Sequence, residues 1–117
     1  MTQIIAEPPF IKELKRLAKK YKNITKDIQK LAEELRQNPF YGSDLGKGVR
    51  KVRMAVTDKG KGKSHGARVI TYIDTIINLQ ENNVHLLYIY DKADQENISD
   101  KEIIELLKYV SSKPSRQ

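Results

Sequence analysis

The chain reads as an α+β fold, in the order β-α-α-β-β-β-α, on three observations. Apolar residues recur at helical spacing in two stretches near the N-terminus, Phe10–Tyr21 and Ile28–Leu35. Three runs rich in β-branched and aromatic residues follow, Val49–Val56, Ala67–Asp74 and Val84–Asp91. A helix-capping signature then opens a last helical stretch at Ser99. At 117 residues, with no internal repeat or dividing linker, residues 1–117 are expected to form one domain.

Each element has a local reason. Gln3–Ala6 is short and apolar, as a first strand would be. Pro8 and Pro9 suit the first turn of a helix, where a missing N–H costs nothing. Phe10, Leu14, Leu17, Ala18 and Tyr21 then share one helical face. Lys12, Lys15, Arg16, Lys19 and Lys20 fall on the other side and read as a solvated face. Thr25 is the expected N-cap of a second helix, whose apolar face is Ile28, Leu31, Ala32 and Leu35. That helix should stop before Asn38-Pro39, because the residue before proline disfavours α geometry. The pair forms an αα-hairpin.

Tyr41–Gly48 holds three glycines and reads as a loop. In Val49–Val56, Arg50, Val52, Met54 and Val56 share one strand face, and Val49, Lys51, Arg53 and Ala55 the other. Thr57–Gly66 is polar and glycine-rich and is expected to be a mobile hairpin loop. Glu81-Asn82-Asn83 is expected as the turn between the last two strands. Ser99-Asp100-Lys101-Glu102 is a capping box, with Ile98 and Ile103 as its hydrophobic staple. Ile103, Ile104, Leu107 and Val110 supply the helix's apolar face, and the tail from Ser111 to Gln117 is expected to fray.

The charge is unevenly distributed. Lys47–Arg68 holds eight Lys/Arg and a single acid, Asp58, a local net +7 that equals the formal charge of the whole chain. The other residues balance. One concentrated cationic block on a neutral body is the electrostatic footprint of a polyanion partner, nucleic acid above all. There is no cysteine, so thiolate catalysis, disulfides and Cys-based zinc sites are excluded. No stretch approaches the roughly 18 apolar residues of a membrane span. The N-terminus lacks the pattern of a secretory signal. A cytoplasmic protein with no membrane partner and no cofactor or metal is expected.

Within the block, Lys59-Gly60-Lys61-Gly62-Lys63 alternates point charges with flexible backbone, a phosphate-grasping arrangement. It is not a nucleotide-binding P-loop, because the spacing and the following helix are missing. Lys51 and Arg53 stand on one face of a strand, and Arg68 follows on the next strand. Cations crowded together should lower a lysine pKa toward that of a general base, while arginines stay charged and stabilise a phosphorane-like transition state. The same residues could equally bind phosphates without chemistry, and composition leaves both open. His65, in the basic loop, is a candidate proton donor, whereas His85 sits in an apolar strand and reads as structural. Asp91, Asp94, Glu96 and Asp100 read as helix-dipole and solvation partners rather than metal ligands. Tyr72, Tyr88 and Tyr90 suit sheet packing, with base stacking as the alternative.

The string Gly48–Tyr72, GVRKVRMAVTDKGKGKSHGARVITY, followed by Leu86–Lys92, LLYIYDK, resembles the RelE/HigB family of bacterial toxins from type II toxin–antitoxin systems, nearest the HigB-like subgroup. The helix pair, sheet and final helix agree with that family over nearly the whole chain. The resemblance implies a RelE-like fold with helices on one side of a twisted, mostly antiparallel sheet. It implies a ribosome-dependent endoribonuclease that cuts mRNA in the ribosomal A site by metal-free 2′-hydroxyl attack. A cognate antitoxin of HigA-like, helix-turn-helix type would neutralise it. The catalytic positions would be Lys51, Arg53, Arg68 and Lys92. Arg50, Lys59, Lys61, Lys63, His65 and Tyr72 would hold RNA. The chain departs from the family pattern at His65-Gly66, usually Gly-Gly, at Thr71-Tyr72, usually Tyr-Tyr, and at Ala93, where RelE-type members carry another arginine. Two other readings compete: a non-catalytic RNA- or ribosome-binding module, and a ParE-like toxin that poisons DNA gyrase. The lysine loop together with Lys51, Arg53 and Arg68 favours the ribonuclease.

Overall fold

The computed structural model describes residues 2–76 and 81–111. A five-stranded sheet carries helices on both faces. The elements are β1 (Thr2–Ala6), α1 (Pro8–Ala18), α2 (Ile24–Gln37), β2 (Ser43–Gly46), β3 (Val49–Met54), β4 (Ala67–Ile76), β5 (Glu81–Asp91) and α3 (Asp100–Ser111). The sheet order is β1-β5-β4-β3-β2. β1 runs parallel to β5, and every other neighbouring pair is antiparallel. Among the described residues no helix is long and apolar enough to cross a membrane.

Strand alternation decides where the helices go. Val52 and Met54 on β3, Val69 on β4 and Leu86 and Ile89 on β5 pack with Phe10 and Leu17 of α1 and with Ile24, Leu31 and Leu35 of α2. The residues between them point the other way. Val49, Ile70, Leu87 and Tyr90 form a second cluster with Ile103 and Leu106 of α3. The helices therefore do not share one side of the sheet, as the resemblance implied. Both faces of the central strands are apolar, so each needs its own cover.

Three further boundaries differ from the sequence reading. Ser43–Gly46, expected as loop, is a short edge strand paired with β3. The link before it turns at Gly42, where a side chain would meet the Lys51 carbonyl oxygen at 2.7 Å and φ is +105°. Glu81–Asn83, expected as turn, begins β5 and pairs with Asp74–Ile76 and with Thr2 and Gln3. The first residue of α2 is Ile24, with Asn23 rather than Thr25 at the cap. Asn23 receives help from a distant carboxylate: its backbone N–H donates to Asp58 Oδ2 at 2.9 Å and its side chain to Oδ1 at 2.7 Å. The tail beyond Ser111 lies outside the described residues.

Two local expectations hold. α2 ends at Gln37, just before Asn38-Pro39. The capping box is formed, with the Glu102 N–H donating to Ser99 Oγ at 3.1 Å and the Ser99 N–H donating to Glu102 Oε1 at 3.0 Å. Ser99→Ala should therefore lower stability by about 1 kcal/mol, read as a small shift in a urea melt with unchanged slope. His85 is structural: it is buried, with Nδ1 2.6 Å from Glu7 Oε2, and so ties the start of α1 to β5.

Candidate active site

Lys51, Arg53, Lys59, Lys61 and Arg68 of the basic block gather where β3, β4 and β5 meet the loop between β3 and β4. Register sets the arrangement. Arg53 on β3 pairs with Arg68 on β4, and Arg68 with Tyr90 on β5. Directly opposed residues carry Cβ atoms about 4.5–5.5 Å apart, so these three side chains form one row across the sheet, on the α3 side. Lys51 stands two residues along β3 on the same face, with Nζ 3.4 Å from Asn97 Oδ1.

Arg68 is the centre of the row. It is only 5% exposed. Its guanidinium donates to three carbonyl oxygens, those of Lys63 (3.0 Å), Ser64 (3.1 Å) and Ala67 (3.2 Å). None of the ion pairs among the described residues involves it. Burial lowers its pKa most, the neighbouring Arg53 charge lowers it further, and Tyr90 acts in the opposite sense. The expected crowding of cations thus falls on an arginine, which keeps its charge at neutral pH. Among the described residues no acid pairs with this buried charge, and such a charge favours an anion beside it.

The loop is tied to its surroundings at several points. Thr57–Lys59 forms a turn of 3-10 helix. Thr57 donates to Asp27 of α2 through both its N–H and its hydroxyl. Lys59 is a correction to the expected role. Its side chain is 12% exposed, and its ammonium pairs with Asp91 while donating to the His65 carbonyl at 2.7 Å. The Lys59 ammonium thus ties the loop to the end of β5. Asp91, expected as a solvated turn acid, is the last residue of β5 and 1% exposed. It also accepts from the Tyr21 hydroxyl at 2.6 Å and the Ala93 N–H at 2.9 Å. Burial, the largest influence, pushes the Asp91 carboxyl up. The hydrogen bonds from Lys59, Tyr21 and Ala93, with the Lys59 charge, together outweigh it and hold the group below its ordinary value. Gly66 closes the loop against β3: a Cβ there would lie 2.0 Å from the Met54 carbonyl oxygen.

Around this anchor lies a cleft of about 440 Å³ lined by Lys59, Lys61, His65, Lys92 and Ala93. Lys61 and His65 are exposed on the loop. His65 Nδ1 lies 3.0 Å from Ser64 Oγ. The Lys92 ammonium donates to Glu96 Oε1 at 2.6 Å, and its backbone N–H to the Gly66 carbonyl at 3.0 Å. The site thus has two adjoining parts, the arginine row on the sheet and a cationic cleft beside the loop.

The remaining candidates sit elsewhere. Arg50 lies on the opposite face of β3, over the Phe40 ring at 5.7 Å, and donates to the Gly42 carbonyl. Tyr72 pairs in register with Val49 and His85, four residues along β4 from Arg68. That is about 13 Å of strand. Its ring centroid is 5.7 Å from that of His85. Lys63 turns toward the helix hairpin and donates to the Tyr41 hydroxyl at 2.9 Å. That hydrogen bond, with the Tyr41 charge, raises its pKa. So Arg50 and Tyr72 are not brought to the arginine row. Asp91 and Tyr21 were missed, because their links to Lys59 span dozens of residues and leave no local pattern.

The family model of the RelE toxin of the RelE/RelB toxin–antitoxin system matches residues 10–115. The chain belongs to the RelE toxin family. The match runs from the third residue of α1 through α3 and includes every residue of the arginine row and the cleft. A search of curated proteins finds no match. Membership makes this RelE-family chain a toxin of the toxin–antitoxin type, with a cognate antitoxin as its partner. The family's toxins are in general translation-inhibiting mRNA endoribonucleases.

Proposed function

We propose that this toxin is a ribosome-dependent endoribonuclease that cuts mRNA in the ribosomal A site, with residues 1–117 acting as one cytoplasmic toxin domain of the HigB-like subgroup. The observation that carries the reading is Arg68, a buried guanidinium whose hydrogen bonds all go to neutral carbonyls. Beside Arg53, it supplies concentrated positive charge where a phosphodiester can lie against a rigid sheet.

The chemistry follows from RNA itself. The 2′-hydroxyl attacks the adjacent phosphorus, the bond to the 5′-oxygen breaks, and a 2′,3′-cyclic phosphate and a 5′-hydroxyl result. Negative charge on the phosphoryl oxygens grows in the transition state. Arg68 and Arg53 answer that charge, with Lys51 beside them. Lys92 and His65, in the adjoining cleft, are the groups placed to hold or deliver the proton that the leaving oxygen needs. Lys61 extends the cationic surface toward RNA. No metal or cofactor is assigned a part in this route. A HigA-like, helix-turn-helix antitoxin is the proposed partner.

The test is to map 5′ ends of an mRNA incubated with the protein, with and without translating ribosomes. Cuts in register with codons, appearing only with ribosomes, are expected. Cuts on naked RNA would make it a free ribonuclease. No cuts from a folded protein would favour a binding module or a gyrase-poisoning toxin.

A further inference from the structure

Tyr90 is a polar residue in an apolar place. It is 2% exposed, in the cluster with Ile70, Leu87, Ile103 and Leu106. Its ring centroid lies 6.2 Å from that of Tyr88. Among the described residues its hydroxyl has no hydrogen-bond partner. A buried hydroxyl without a partner loses its water and gains nothing, so phenylalanine would serve the packing better. Tyr90 is paired in register with Arg68 across the strand pair, and the charged groups that act on its phenol are Arg68 and Glu102. Burial pushes the phenol pKa up, which keeps the hydroxyl protonated and able to donate.

Arg68 is meanwhile covered by the carbonyls of Lys63 and Ser64. Both belong to the loop between Gly60 and Gly66, where Gly60 and Gly62 hold positive φ. Arg68 spends three of its five N–H groups on carbonyls, so a phosphate can take the other two or displace the loop carbonyls, and the residue paired with Arg68 on β5 is Tyr90. We propose that Tyr90 is a further substrate-contacting residue, whose hydroxyl donates a hydrogen bond to the RNA phosphate that Arg68 binds. The proposal rests on the ribonuclease reading for its catalytic effect but not for the contact itself.

The experiment is Tyr90→Phe, which removes only the hydroxyl. Because that group has no hydrogen-bond partner among the described residues, the variant should melt at the parent's temperature or above. Single-turnover cleavage on programmed ribosomes should slow by about 10- to 100-fold, as for loss of one transition-state donor, while KM moves less than about threefold. Binding of a 2′-O-methyl trinucleotide, which cannot be cleaved, should weaken by about fivefold, within the range of one hydrogen bond. Parent-like cleavage and binding in the variant would overturn the proposal. So would a loss of rate that merely tracks a lower melting temperature. If the parent leaves ribosome-bound mRNA intact yet binds the trinucleotide more tightly than Tyr90→Phe does, the ribonuclease reading falls and the Tyr90 contact stands. If the parent fails to bind the trinucleotide at all, the contact falls too.

Discussion

Arg68→Ala should slow mRNA cleavage by about 10²- to 10³-fold and leave the protein folded. The rate loss is that of removing one preorganised donor aimed at charge that develops in the transition state. The fold should survive because two effects oppose each other. The variant loses three hydrogen bonds to the carbonyls of Lys63, Ser64 and Ala67. It also removes a buried cation that stands against Arg53 without an acid to balance it. A net change within about 1 kcal/mol is expected. Arg68→Lys keeps a charge but not the planar fork, so it should recover only part of the rate. Single-turnover cleavage on programmed ribosomes, beside a circular-dichroism melt, reads both quantities. Parent-like cleavage by folded Arg68→Ala would reduce Arg68 to an anchor for the loop. Lys61→Ala is the useful contrast. Its side chain is exposed and outside the arginine row, so it should weaken RNA binding and reduce the salt slope by about one, with little change in the bound rate.

What could be read in advance follows from how far each interaction reaches along the chain. The start of α3 was legible because Ser99 and Glu102 are three residues apart and complete each other's hydrogen bonds. α1 and α2 were legible from periodicity, since each buries one stripe. The arginine row was half legible: alternation placed Lys51 and Arg53 together, and only the β3–β4 register put Arg68 beside Arg53. The same alternation set Arg50 with Val52 and Met54, away from the row, although its charge grouped it with the site. β2 was hidden because Ser43–Gly46 has no strand composition of its own and exists through pairing with β3. Glu81–Asn83 carries turn residues but is recruited between β1 and β4. Least legible was the function of Lys59. In the sequence it is one of three alternating lysines. In the fold it alone finds a buried carboxylate, 32 residues away.

That pairing sets the second large effect: Asp91→Ala should destabilise the protein by about 3 kcal/mol, because removing one partner of a buried ion pair strands the other. For a chain of this size the melting temperature should fall by roughly 12 °C. Asp91 joins three parts of the fold at once: Tyr21 between the helices, Lys59 at the root of the loop, and Ala93 after the last strand. Asp91→Asn keeps an acceptor for Tyr21 and Ala93 but loses the charge that holds Lys59, so a smaller loss is expected. Lys59→Met leaves Asp91 with its two other donors, and combining it with Asp91→Asn should be less than additive, since both variants break the same pair. The pH dependence has a definite sign. The Asp91 carboxyl sits below its ordinary value in the folded protein, where the donors outweigh burial. Its stabilisation is therefore fully present above the unfolded value of about 4 and is lost as pH falls through the folded one. An acid titration of stability should show that loss in the parent and a flatter profile in Asp91→Asn. If the two profiles coincide, the Lys59–Asp91 pair does not hold the loop. Where it does hold, Asp91→Asn should also loosen Lys59–Gly66, seen as faster amide exchange in that segment, and slow cleavage even at temperatures where the variant is folded, because the carbonyls over Arg68 and the wall of the cleft both belong to the loop it anchors.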